Sequence, residues 1–187
     1  MFQVSPIFLY PAIYYPFKNK KLRRCYKMIK THPFQPVYDK TSKVLILGTL
    51  PSIESVKQGF YYMHPQNRFW KMLSAIYHMD LYTASIEEKK EFLLKHSIAL
   101  YDIIQSCEIQ KSSDASIRNV SCTDLENILK ESQIQHILLN GKTAYEHFLK
   151  SYPQYKDIAR CVPSTSSANA KISLEELIEL WKKYLFL

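Results

Sequence analysis

Lys43-Val-Leu-Ile-Leu-Gly48 is a continuous apolar run that ends on glycine. It has no polar alternation, so neither side of an extended chain would face water. Such a run predicts a strand buried on both faces of a parallel sheet, closed by a turn. Working outward, residues 98–104 (IALYDII) and 135–139 (QHILL) have the same character, and residues 158–162 predict a short fourth strand. Helical patterns lie between them. Residues 67–78 (NRFWKMLSAIYH) place Phe69, Leu73 and Ile76 or Tyr77 on one side. Ser85-Ile-Glu-Glu88, Thr123-Asp-Leu-Glu126 and Ser173-Leu-Glu-Glu176 read as capping boxes that open helices, the last carrying Trp181. Asn140-Gly141 turns into a helix over residues 142–149. The alternation predicts an α/β fold with three αβα layers and a central four-stranded, mainly parallel sheet. Ligands of such sheets bind beyond the carboxyl ends of the strands. Three segments fall there: the loop after Gly48, Asn140-Gly141, and the loop after Val162.

Composition narrows the chemistry. With 187 residues and 47% hydrophobic content, the chain is long enough for one sizeable core and too short for two ordinary domains. Only three glycines occur, which rules out both Gly-rich nucleotide fingerprints. Cys25, Cys107, Cys122 and Cys161 are widely spaced. Without a CxxC pair, a zinc ribbon or iron–sulfur cluster is not expected, and a reduced cytoplasmic compartment is the simplest reading.

The net charge of +8 is unevenly spread. Residues 1–30 hold seven Lys or Arg and no acid, which leaves 18 bases against 17 acids in the rest. The basic balance therefore describes the N-terminal segment, and does not by itself argue for nucleic acid. Residues 2–17 are apolar but contain Pro6, Pro11 and Pro16, and are shorter than the ~20 residues of a membrane span. Residues 1–31 are expected to be an extension, either a basic arm touching DNA phosphates or dispensable sequence upstream of a true start at Met28. Residues 32–187 carry the patterned elements and are expected to be the folded, functional domain.

Three motifs carry chemistry. Gly48-Thr-Leu-Pro-Ser52 turns sharply at a strand end, where backbone N–H groups can face a ligand oxygen. An ordinary strand-to-loop turn is the plainer reading. Phe60-Tyr-Tyr-Met-His-Pro-Gln-Asn-Arg-Phe-Trp70 sets five aromatic residues around His64, Asn67 and Arg68 at the start of a helix. Aromatic faces stack on nucleobases and amides read base edges. Phe69 and Trp70 would equally serve as helix core, Asn67 as a helix cap, Arg68 as a surface ion pair and His64 as a loop histidine. Pro163-Ser-Thr-Ser-Ser-Ala-Asn-Ala170 places hydroxyls at a strand end, suited either to a backbone phosphate or to a polar connection.

In combination these motifs resemble the uracil-DNA glycosylase superfamily, and are most similar to its hypoxanthine-DNA (deoxyinosine) glycosylase family, over residues 32–187. The resemblance implies a DNA base-excision repair glycosylase that flips out a deaminated base and hydrolyses its N-glycosidic bond without cutting the strand. Most members carry Asp or Asn where this chain has Leu50, so the water-positioning role moves to Asn67. The implied base pocket comprises Gly48, Thr49, Leu50, Tyr62, His64 and Asn140, with Tyr62 stacking on the base. Ser52, Ser164, Thr165 and Ser166 are implied to bind DNA. Ser166 stands where mismatch-specific members place a wedge leucine. If Asn67 is only a cap, His64, Asp102 and Asn140 are the next candidates. No metal or organic cofactor is implied, and the protein is expected to be a monomer acting on DNA with deaminated bases. The alternatives are a uracil or mismatch-specific glycosylase, a damaged-DNA-binding module without catalysis, and a nucleotide-processing hydrolase.

Overall fold

A computed structural model describes residues 28–109 and 117–186. The expectations for residues 1–27 lie outside the described residues. Strand β2 (Val44–Gly48) lies between β3 (Ile98–Asp102) and β6 (His136–Asn140), and β7 (Ala159–Val162) completes the sheet in the order β3-β2-β6-β7. All three pairings are parallel. Leu47 stands opposite both Tyr101 and Leu139, so the apolar runs are in register through the middle of the molecule. Leu45, Ile46 and Leu47 are fully buried. Each such side chain contributes about 1.5–3 kcal/mol on leaving water.

Helices flank this sheet in three αβα layers: α1 (Ile53–Gln58), α2 (Phe69–Tyr77), α3 (Ile86–Lys95), α4 (Glu126–Glu131), α5 (Lys142–Ser151) and α6 (Leu174–Leu185). Capping boxes close at Ser85 with Glu88 and at Ser173 with Glu176, as the sequence pattern predicts. The third one does not form. Thr123 is buried and its hydroxyl donates to the Asp102 carbonyl at 2.9 Å, while α4 starts after Leu125 with no side-chain cap. A strand-end carbonyl in the interior needs a donor, and Thr123 meets that need first.

The run of residues 98–104 is not one strand. The chain leaves the parallel sheet after Asp102, and β4 (Ile104–Ile109) joins β1 (Met28–Thr31) and β5 (Ile117–Cys122) in a separate antiparallel sheet, order β1-β4-β5. The apolar run continues across the break because Ile103 and Ile104 are both buried. Their N–H groups still bond the Gly48 and Thr49 carbonyls, at 2.9 and 3.1 Å. The second sheet gave no sequence signal because its pairing shifts register twice, which scrambles the two-residue alternation. Helix α1 was equally silent: six residues are too few to show a period.

Candidate active site

At the carboxyl end of β2, Gly48 leaves a gap that its neighbours fill. A Cβ on Gly48 would lie 2.1 Å from Asp102 Oδ1 and 2.6 Å from the Tyr62 hydroxyl, so only glycine fits. Asp102 ends the adjacent strand and is buried. Its Oδ2 is held by His32 Nε2 at 2.9 Å, with both side chains shut off from water. His32 is itself fixed by Tyr101, Phe34 and Tyr61, at ring distances of 4.9, 5.5 and 5.8 Å. The carboxylate thus has one oxygen engaged by imidazole and the other over Gly48.

Tyr62 approaches the same point from the loop before α2. Its φ is +57°, a left-handed conformation that costs an aromatic residue roughly 1–2 kcal/mol. Such strain concentrates at functional sites. One face of its ring stacks on Phe69 at 4.1 Å and 28°. The residue is half-buried, but its hydroxyl is buried and makes no well-aligned hydrogen bond, the Asn140 amide being the polar group that faces it. Burial, and next the Asp102 carboxylate, push the phenol well above its ordinary value, so it remains a neutral donor; the Asn140 amide opposes this rise. The neighbouring Tyr61 turns the other way. Its hydroxyl donates to Gln35 at 2.9 Å, and it lines a cavity of about 450 Å³ with Phe34, Val37 and Phe60, apart from Asp102 and Tyr62.

The loop after β7 closes over the same strand ends. Asn140, the last residue of β6, uses both ends of its amide on Thr165: Oδ1 accepts from the backbone N–H at 2.9 Å and Nδ2 donates to the hydroxyl at 3.0 Å. Gly141 has φ +101°, and a Cβ there would sit 3.0 Å from the Ser164 Cβ, so its bareness lets the loop approach. Trp181 of α6 donates to the Pro163 carbonyl at 2.9 Å. Arg68 braces the loop from beneath, donating to the carbonyls of Ser166 at 3.3 Å, Asn169 at 2.9 Å and Ile172.

A family model for the uracil DNA glycosylase superfamily matches residues 35–184. The chain belongs to this superfamily. Two proteins named hypoxanthine DNA glycosylase are each 31% identical to it. The Methanosarcina barkeri relative aligns over 64% of this chain and 76% of its own length, the Methanosarcina acetivorans relative over 75% and 89%. A solution NMR structure of a candidate uracil DNA glycosylase from Methanosarcina acetivorans superposes with a TM-score of 0.71 at 27% identity, covering 84% of this chain and 97% of its own. The protein is thus a DNA glycosylase of the uracil DNA glycosylase superfamily with the expected three-layer fold.

For this glycosylase the sequence-predicted residues divide into two groups. Gly48, Tyr62, Asn140, Ser164 and Thr165 converge around the strand ends. The others have local engagements. Asn67 Oδ1 accepts from the Phe69 N–H at 3.0 Å, capping α2. His64 Nδ1 accepts from the Gln66 N–H at 3.1 Å, and Ser52 Oγ caps α1 through the Ser55 N–H at 3.1 Å. Leu50 packs against the core, and the Thr49 carbonyl serves Ile104. Thr165 is wholly buried, so its side chain fastens the loop from inside. Ser166 is half-buried and its Oγ accepts from the Ala168 N–H at 3.3 Å. Sequence reasoning missed His32, which sits in no motif, and offered a surface ion pair as the plainer role of Arg68, where the structure has it holding loop carbonyls. Asp102 did leave a signal: a lone carboxylate inside an apolar strand.

Among the described residues no group of three His, Cys, Asp or Glu is arranged to hold a metal ion, and no helix is long and apolar enough to cross a membrane.

Proposed function

We propose that this glycosylase excises hypoxanthine from DNA by hydrolysing the N-glycosidic bond of deoxyinosine, leaving the strand intact. The observation that carries the reading is Tyr62: a strained, half-buried ring with one face on Phe69 and its edge against Gly48 and Asp102. Its other face is suited to an extruded purine, supported by the names of the two Methanosarcina relatives. Extrusion costs a few kcal/mol, least for a mispaired deaminated base. The backbone at Gly48, Thr49 and Leu50, with His64 and Asn140 nearby in the motifs, would read its edge. Ser52, Ser164 and Ser166 would meet the flanking phosphates, and Thr165 would act from within the loop.

In the reaction the bond from C1′ to the base breaks and its electron pair leaves with the base. Water oxygen bonds to C1′, one of its protons is lost, and the base takes up a proton. Donors aimed at the developing base anion stabilise it. Asn67 would place the water. Asp102 is the second candidate for that role, because it is a buried carboxylate fixed by His32 at the strand end, whereas Asn67 Oδ1 is already a cap acceptor. A reduced cytoplasm and a monomer fit this reading.

The test is base release from oligonucleotides with a single inosine, uracil or xanthine, followed by alkaline cleavage. Release from inosine above the other two is expected. Preference for uracil would instead make it a uracil or mismatch enzyme. Tight binding to an abasic duplex with no release from any substrate would leave a damaged-DNA-binding module, the reading that Leu50 favours.

A further inference from the structure

We propose that Arg68 supplies the positive charge for a phosphate-binding site on the loop of residues 163–169, acting through the loop rather than touching the phosphate. The inference rests on the glycosylase reading, and adds to it a positioning residue. Arg68 stands just before α2, and its guanidinium lies under the loop. It donates to the carbonyls of Ser166, Asn169 and Ile172, with the Ser164 carbonyl at 3.5 Å, and its own N–H bonds the Thr165 carbonyl at 3.0 Å. Its partners are all neutral dipoles. No carboxylate among the described residues pairs with it, and its buried Nε has no acceptor. Arg68 is half-buried, and a charge withdrawn even partly from water is ordinarily paired. Here the balancing charge is missing from the protein side. The segment above it, residues 163–172, contains no acid and includes the exposed Lys171. Half-buried Ser164 and Ser166 put hydroxyls on that loop. An anion with several acceptor oxygens completes this arrangement, and a DNA backbone phosphate is such a group.

Guanidinium chemistry explains why the residue is arginine. A planar fork can bridge several carbonyls and stays charged when desolvated, whereas lysine gathers its three donors on a single nitrogen. Charge and bracing can therefore be separated. The experiment measures binding of the full chain to a duplex with one tetrahydrofuran abasic analogue, over a range of salt, for wild type, Arg68→Gln and Arg68→Lys. Loop amide exchange and melting temperature are followed alongside. Arg68→Gln is expected to weaken binding about tenfold, and to flatten the salt slope by roughly 0.9, the share of one phosphate. Arg68→Lys should keep the slope while its loop amides exchange faster. A folded Arg68→Gln with the wild-type slope, or an Arg68→Lys that loses the slope, overturns the proposal. If Arg68→Gln does not fold, Arg68→Met, which keeps the apolar stem and removes the charge, is read in its place, and a wild-type slope in it overturns the proposal. Wild type that binds the abasic duplex but releases no base overturns the glycosylase reading and leaves Arg68 measured. Wild type that fails to bind it overturns both.

Discussion

Asn67 stands between two roles that differ in magnitude. Its Oδ1 accepts from Phe69 N–H, so truncation to alanine should cost about 0.5–2 kcal/mol of stability. A transition-state contact is felt in the chemical step, tenfold for each ~1.36 kcal/mol. Asn67→Ser and Asn67→Asp keep an acceptor for the cap. Asn67→Ser is expected to melt near wild type yet lose most single-turnover base release. Near-normal release in Asn67→Ser would reduce Asn67 to a cap and pass the role to Asp102. Tyr62 separates ring from hydroxyl. Tyr62→Ala should lose about 1–3 kcal/mol of base stacking, seen as slower release, while Tyr62→Phe keeps the ring and sheds only a hydroxyl that makes no well-aligned hydrogen bond. Equal rates for Tyr62→Ala and wild type would remove Tyr62 from the site. Gly48→Ala is the geometric control. A methyl 2.1 Å from Asp102 Oδ1 must displace it, so the variant should be destabilised by about 1–3 kcal/mol and slowed. A melting curve and a rate indistinguishable from wild type would mean the strand end is looser than it stands here.

Elements were legible where one physical signal acted alone. Strands β2, β3 and β6 announced themselves because a strand covered on both faces has no polar position to confuse the pattern, whereas the edge strand β7, with Arg160 and Cys161 exposed, left only a short run. Two capping boxes were legible because Ser85 and Ser173 are exposed and have no competing partner. Thr123 has the same spacing but lies in the interior, where the Asp102 carbonyl claims its hydroxyl. Position, which local sequence does not state, chose between them. The same reason hid the His32–Asp102 pair, which spans 70 residues of sequence. The site motifs were legible as segments, but not the brace that Arg68 forms among them. This contrast is measurable. Ser85→Ala should cost about 0.5–2 kcal/mol, largely as fraying of α3. Thr123→Val should cost a buried hydrogen bond, about 1–3 kcal/mol, with α4 helicity intact. Fraying of α4 in Thr123→Val, read by amide exchange, would restore the cap.

At the scale of the whole molecule, the charge changes character near residue 30, close to where the described residues begin. Seven bases without an acid lie within residues 1–30, while the remainder is nearly neutral. The described fold begins at Met28, whose strand β1 pairs with β4 from Met28↔Ile109 to Thr31↔Ser106. His32 follows immediately and holds Asp102. A cut after residue 27 therefore spares β1 and His32, whereas a cut after residue 32 removes the β1 ladder and leaves the Asp102 carboxylate buried without its partner. Leaving a buried acceptor without its hydrogen-bond partner costs about 1–3 kcal/mol. Deletion of residues 1–27 is expected to leave melting temperature and base excision close to those of the full chain. Six of the seven bases go with it, so the salt dependence of DNA binding should flatten if that segment meets phosphates. Deletion of residues 1–32 is expected to lower the melting temperature and the single-turnover rate together. Insoluble protein after the shorter deletion would show that residues 1–27 pack on the body. Unchanged activity after the longer one would show that neither β1 nor the His32–Asp102 pair supports the strand-end site.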